Sequence, residues 1–242
     1  MEIVPVDRID IRRVEGGWPL PPEQRAAVAA YWREATRANP HLWDGRILGL
    51  SAPGGGMPRV VDGVLQAEAR EDAYSAFMLW RHLGFPEIGI CHAFGWALIV
   101  SADGALIFGV MGPETANAGR VYPPGGSLEP RDVLPDGRVD VSHCIALELK
   151  EETGLSASEA ATGGMVAVVD GARMSFGQLL EFAEDADALL ARIRRNLDAQ
   201  EHRELADVVA VRSLAQAERA GAVPHALAVA EAFFEGRIFK HR

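Results

Sequence analysis

Glu148, Glu151 and Glu152 crowd into the five-residue stretch ELKEE. On a helix, at about 100° per residue, they fall within one turn on one face. Ile145, Ala146 and Leu149 fall on the adjoining face, which can pack on a sheet. Three carboxylates this close repel one another unless a cation lies between them, and hard oxygen ligands suit Mg²⁺ or Mn²⁺. The acids also stand at the C-terminal end of the helix, where the macrodipole disfavours negative charge. Upstream, Gly125 and Gly126 form a turn whose backbone can approach a metal or a phosphate closely. A solvated acidic helix face is the plainer alternative for such a charge run.

The stretch 125–155, GGSLEPRDVLPDGRVDVSHCIALELKEETGL, resembles the signature of the Nudix hydrolase superfamily. That signature runs Gly, five residues, Glu, seven residues, then Arg-Glu-apolar-x-Glu-Glu-x-Gly-apolar. Its C-terminal half matches Leu147-Glu148-Leu149-Lys150-Glu151-Glu152-Thr153-Gly154-Leu155, and its N-terminal half matches Pro124-Gly125-Gly126-Ser127-Leu128-Glu129. There are two departures. Leu147 stands 21 positions after Gly126 where the signature has about 14, so roughly seven residues are inserted, with Asp132 at the first signature Glu position. Leu147 also replaces the signature arginine, which normally holds a carboxylate by a charge-assisted pair. Lys150 or an arginine of the insertion is the expected substitute.

The resemblance implies an α/β fold: a Nudix α/β/α sandwich with a mixed sheet over residues 89–242, preceded by a small N-terminal α/β extension over 1–88. It implies a Mg²⁺ or Mn²⁺ cofactor. Glu148 and Glu152 would be the principal ligands, the Gly126 carbonyl a neutral ligand, and Glu151 a third ligand or the base, so that Glu148 and Glu151 carry the catalytic work. Such proteins often have a further acid before the last strand, and Glu201 and Glu204 both occupy that region. Arg120, just upstream of the glycine turn, could meet a substrate phosphate or simply face solvent.

The elements that must position these groups follow from the pattern of the chain. A short strand is expected at Ile3, Val4 and Val6, and a helix over 23–38 entered through prolines, with Val28, Tyr31 and Trp32 as core residues. Strands are expected over 46–50 and 59–69 and a helix over 71–83, closed by Gly84 and Pro86. Residues 94–100 and 105–111, joined by Asp103-Gly104, carry a strong hairpin signal. A loop over 130–140 contains Asp136-Gly137 turn residues and ends at Asp140, a plausible N-cap for the carboxylate helix. His143 is expected at the surface. Strands over 163–170, 173–182 and 206–212 follow, with helices over 185–197, 213–220 and 225–234. No repeat or low-complexity tract interrupts the chain.

The segment Asn39-Pro40-His41-Leu42-Trp43-Asp44-Gly45, with Tyr74, Phe77, Trp80 and Arg81 on the later helix, also looks like the N-terminal region of one Nudix branch, some of whose members hydrolyse UDP-sugars. The alternative is a packing appendage or a dimer surface.

Composition bounds the rest. The 242 residues carry a net charge of −10 and are 48% hydrophobic, enough for one large domain or a domain with an appendage. No basic excess marks a nucleic-acid polymer binder. Cys91 and Cys144 do not form a disulfide framework, and Cys144 reads as a small buried thiol. The first residues lack the apolar core of a signal peptide, and no run approaches about 18 apolar residues, so a cytoplasmic protein with no membrane span is expected. The apolar N-terminal helices would suit a homodimer, though nothing specifies one.

The expected activity is metal-dependent cleavage of the diphosphate link in a nucleoside diphosphate joined to another moiety, a nucleotide sugar being the first candidate. The main alternative is a catalytically weak Nudix-fold protein that binds a nucleotide and regulates or scaffolds. An isomerase acting on an isoprenoid-like diphosphate is a weaker one.

Overall fold

The computed structural model describes residues 1–239. In chain order they form β1 (Glu2–Val6), β2 (Arg8–Arg13), α1 (Pro22–Ala38), β3 (Arg46–Ser51), β4 (Val60–Val61), β5 (Val64–Ala73), α2 (Tyr74–His82), β6 (Cys91–Val100), β7 (Leu106–Met111), β8 (Val121–Tyr122) and β9 (Gly125–Ser127). Then come α3 (Val141–Thr153), β10 (Ala161–Asp170), β11 (Arg173–Glu181), α4 (Ala186–Ala199), β12 (Leu205–Val211), α5 (Leu214–Arg219) and α6 (Pro224–Phe234). The class is α/β with a mixed sheet, as expected. One path through the sheet runs β1-β10-β11-β6-β3-β5-β2, and β7, β8 and β12 branch from it.

The strand β6 organises the sheet because it is apolar on both sides. Cys91, Ala93, Ala97 and Ile99 point into one core with Ile145 and Leu149 of α3 and Leu189 and Ile193 of α4. Trp96, Leu98 and Val100 point into a second core with Val229 and Phe233 of α6. A strand covered by helices on both faces reads as a continuous apolar run for this reason. One edge of β6 pairs in parallel with β11 along its length. The other edge is shared by three strands in turn: β3 at Cys91 and His92, β9 at Phe94 to Trp96, and β7 at Ile99 and Val100.

That sharing modifies the expected hairpin. The Asp103-Gly104 turn forms, but only Ile99↔Ile107 and Val100↔Leu106 pair before the arms part. Beyond them β7 pairs with β12 and β8, and the space beside β6 receives the Gly125–Gly126 strand.

The N-terminal segment shares the same sheet. β1 pairs with β10, and β3 joins β5 to β6. The strand β2, which the sequence pattern did not suggest, pairs in parallel with β5 because Ile11 is apolar enough to be buried while its neighbours are charged. The strand β5 runs to Ala73, so α2 begins at Tyr74 rather than at 71. Asp44 Oδ1 accepts from the Ser75 N–H at 2.7 Å and caps this start.

α1 corrects a core assignment. It has no fully buried residue, and Val28, Tyr31 and Trp32 are half-buried. It lies against α2 from outside, with the Trp32 ring 6.3 Å from Tyr74 and the Tyr31 ring 5.1 Å from His82. Trp18, Phe77 and Trp80 form the core beneath it.

Candidate active site

The strand β9 and the helix α3 build the site together. Gly126 pairs with Gly95 and Gly125 with Trp96 across β6. Gly95 has no side chain because Ile145 lies over it, where a Cβ would come within 2.6 Å of Ile145 Cγ1. α3 therefore seats close on the sheet and brings its last turns against β9. Asp140 caps its N-terminus as expected, accepting from the His143 N–H at 3.0 Å, and Gly154 closes it at φ 74°.

At this seam the signature residues meet. The Gly125 N–H donates to Glu152 Oε2 at 2.7 Å. A Cβ on Gly126 would lie 2.5 Å from the Glu148 carboxylate, so only glycine allows that approach. Glu148 and Glu152 are buried at 7% and 3% exposure, which removes the solvated-face alternative for both; Glu151 is exposed.

Arg131 answers the missing signature arginine. It sits in a 3-10 turn, Pro130–Asp132, at the start of the inserted loop. Its guanidinium donates to Glu148 Oε1 at 2.7 Å and to Glu151 Oε1 at 2.9 Å, and pairs with Glu129 Oε2 at 3.1 Å. Lys150 does not play this part. It is exposed and donates to the Gly154 carbonyl at 3.0 Å, capping the helix end. Asp132, at the first signature Glu position, is buried and turned into the loop, where one oxygen accepts from the Glu129 N–H at 2.8 Å.

Burial pushes the Glu148 carboxyl up to about 7, opposed by Arg131 and reinforced by Glu204 and Glu151. Burial raises Glu152 well above the usual carboxylate range, with the charges of Glu148 and Glu204 adding to it and the Gly125 N–H opposing. Glu204 is also raised, by loss of hydration on its cleft side and then by Glu151, although the residue as a whole is exposed.

Glu148 and Glu204 open into a cleft of about 480 Å³, whereas Glu152 is buried and is not part of its lining. Glu129, Arg131, Glu148, Glu151 and Glu204 line it. Glu204 reaches it because it directly precedes β12, whose Leu205 pairs with Met111 of β7. Glu201 is exposed and is not part of the lining. His41 and Trp43 of the N-terminal segment stand on the rim, Trp43 at 82% exposure. Arg120 opens instead into a second pocket that shares the glycine strand with this cleft.

The donor chemistry fits a hard divalent ion. All the candidate donors are oxygens, and Glu152 Oε1 is buried with no hydrogen-bond partner, a lone pair that a cation would satisfy. Among the described residues no three His, Cys, Asp or Glu side chains are gathered as a ready-made metal cluster. Arg131 stands among the acids and meets part of their charge.

Both thiols are free and buried, burial pushing Cys91 up to about 12 and raising Cys144 further. Among the described residues no helix is long and apolar enough to cross a membrane.

The sequence singles out Glu148, Glu151, Glu152 and Gly126 by spacing, and offers Glu204 only together with Glu201. Spacing does not separate Arg131 from Arg138, the other arginine of the insertion, and it gives Glu129 a place in the motif but no role. A run of charged residues in a loop carries no periodicity to say which of them turns inward.

No family model matches the chain, and no curated protein matches it. Solved structures similar to it include a Nudix hydrolase from M. smegmatis, at 17% identity over 60% of this chain and 83% of that one, with a TM-score of 0.40. A MutT protein from Methanosarcina mazei Go1 is 21% identical over 60% of this chain and 90% of that one, with a TM-score of 0.37. The Nudix domain of a Shewanella oneidensis protein, crystallised with ADP ribose, is 12% identical over 62% of this chain and 89% of that one, with a TM-score of 0.43. These matches are Nudix proteins, the superfamily whose signature the sequence resembles. All three are distant in sequence.

Proposed function

We propose that this chain is a metal-dependent Nudix hydrolase that cleaves the diphosphate link of a nucleoside diphosphate joined to another moiety. The observation that carries the reading is the seam between β9 and α3. The glycine pair and two buried glutamates, set 22 or more residues apart in the sequence, converge there with one unsatisfied carboxylate oxygen. Buried acids with an orphan oxygen are costly to keep without a ligand.

Glu148, Glu152 and the Gly126 carbonyl would hold Mg²⁺ or Mn²⁺, with Glu151 as a third ligand or as the base. A bound divalent ion supplies charge neutralisation of the phosphate oxygens and can lower the pKa of a bound water towards about 7. Glu151 is exposed and lines the cleft; to take a proton from a water at phosphorus it would have to release one of the two oxygens that Arg131 engages. Arg131 holds Glu148 and Glu151 in register and limits their repulsion. Glu204, which also lines the cleft, is its further acid. Nucleotide sugars are the first candidate substrates, because the N-terminal segment that resembles the UDP-sugar branch stands on the rim of the cleft.

A specific observation favours a second reading. Arg131 already neutralises part of the acid cluster, as it would in a nucleotide-binding protein with weak or no turnover. Incubating purified protein with Mg²⁺ or Mn²⁺ and a panel of UDP-sugars, ADP-ribose, dinucleotides, coenzyme A and nucleoside triphosphates separates the two. Hydrolysis of one class, lost in EDTA and cut by about 100-fold or more in Glu152→Gln, is the expected result. No turnover on any member, with no Mn²⁺ binding by titration, would leave the binding protein.

A further inference from the structure

The second pocket has a chemistry opposite to that of the acid cleft. It encloses about 380 Å³, within the range of roughly 300–1,000 Å³ for small-molecule sites. Its lining includes Arg81, Arg120 and Arg173 and no carboxylate, in a protein of net charge −10. Arg173 is paired with Asp170. Among the described residues Arg81 and Arg120 have no carboxylate partner. Arg81 is half-buried on α2 and donates only to the neutral Asn117 Oδ1 at 3.0 Å. Burial and then the like charge of Arg120 both work against the Arg81 cation. Two guanidiniums facing one cavity without an acid leave a site for an anion.

The remaining walls are aromatic. His92 lies 4.2 Å from the Phe77 ring and 5.1 Å from the Phe94 ring, at 32° and 24°, so the three rings form a column. Tyr122 and Phe85 also line the pocket. Phe85 is held at φ 59°, a left-handed conformation that a bulky residue rarely adopts. Flat apolar walls with a few polar atoms suit a planar ring.

The pocket and the acid cleft share Gly125, Gly126, Ser127 and Tyr122 as a common wall. A molecule lying across that wall would have one end among aromatic rings and arginines and its continuation at the glutamates. We propose that this pocket binds the nucleoside monophosphate half of the substrate, with the base against the Phe77–His92–Phe94 column side and the phosphate on Arg81 and Arg120. The link to hydrolysis rests on the function proposed above; the binding itself does not need the metal.

Calorimetric titration in EDTA with AMP, UMP, adenosine, uridine and ribose 5-phosphate tests it without any turnover. A nucleoside monophosphate is expected to bind, and removing either its phosphate or its base should weaken it by about tenfold or more. Arg81→Gln should weaken the monophosphate by a similar factor and leave the nucleoside unchanged. Arg120→Gln, at an exposed residue with no carboxylate partner among the described residues, is expected to act in the same direction with its thermal midpoint unchanged. Absence of monophosphate binding, equal binding by both variants, or ribose 5-phosphate binding as well as AMP and UMP would each overturn the proposal. The two proposals fail separately. Metal-dependent turnover with KM unaltered in both arginine variants would sink the pocket and keep the hydrolase, whereas monophosphate binding without turnover would do the reverse.

Discussion

Arg131 Nη2 lies 2.7 Å from Glu148 Oε1, so the inserted loop returns to the carboxylate helix the cation that Leu147 cannot supply. The same guanidinium bonds both oxygens of Glu151, at 2.9 and 3.2 Å. The loop that lengthens the signature carries its replacement charge.

Arg131→Gln should therefore lower kcat by about 10- to 100-fold with little effect on folding, because the glutamates lose their positioning partner. Leu147→Arg in that background should restore part of the rate, and Arg131→Lys should retain less than wild type because it cannot bridge two carboxylates. Steady-state kinetics of the four proteins on the substrate found by the panel is the check. Unchanged kcat in Arg131→Gln would remove the arginine from the mechanism.

The two glycines of β9 should respond differently to alanine. At Gly125 a Cβ would meet the Gly95 carbonyl oxygen at 2.2 Å and Trp96 Cα at 2.6 Å, both backbone atoms that cannot move aside. Gly125→Ala is expected to destabilise by about 1–3 kcal/mol in urea unfolding. At Gly126 the obstacle is the Glu148 side chain. Gly126→Ala should leave the unfolding midpoint nearer to wild type and impair activity instead.

Asp72 ties the N-terminal segment to the sheet. It accepts from Arg25 at 2.8 and 2.6 Å, from the Trp18 N–H at 2.8 Å and from the Ala73 N–H at 2.8 Å. Burial alone would raise its pKa, but Arg25 and the two backbone donors outweigh it and hold the carboxyl below its ordinary value. Its folded value lies below its unfolded one, so the stability it adds is present above about pH 4 and is lost as pH falls through the folded value. Asp72→Asn should cost on the order of 3 kcal/mol at pH 7, and the cost should shrink below pH 4. A difference in unfolding free energy that stays constant from pH 7 to pH 3 would contradict this.

Two histidines act over a higher range. Burial, followed by the charge of Arg81, pushes His92 down to about 3; burial, followed by Arg173, pushes His225 down to about 4. Both are therefore neutral walls of the second pocket at pH 7. Their unfolded value is about 6.5, so the unfolded chain takes up their protons first and stability falls as pH drops from 6.5 towards 4. For His92, which is 9% exposed, the loss should approach about 1.4 kcal/mol per pH unit below 6. Replacing it in His92→Phe should flatten the urea-unfolding profile between pH 6 and pH 4.5, and an unaltered slope would count against the assignment.

The local elements were legible because they depend on near neighbours in the chain. The alternation and apolar runs of β6, β10, β11 and β12, the Asp140 cap and the Gly154 stop needed only propensity and periodicity. β2 was missed because a strand with one buried apolar residue among charges has no local signature, and it forms only where β5 offers an edge. α1 showed the converse error. Its aromatic residues suggested a core, but the helix lies outside α2 and they are half-buried there.

Residue types and spacing alone determined that Glu148, Glu151 and Glu152 share a helix face, and that a glycine pair precedes it. They could not determine which acids are buried, because burial depends on what packs against the face. The tertiary structure decided that. β6 gives its middle residues to β9, Gly95 lets Ile145 descend, and the resulting seam buries Glu148 and Glu152 while leaving Glu151 in the cleft. It also selected Arg131 among the loop arginines and Glu204 over Glu201, and it drew Arg81, Phe94, Arg173 and His225 from four distant elements into one pocket. Charge and aromatic groups act through space over a few ångströms, so their partners are set by how the sheet closes and not by their order along the chain.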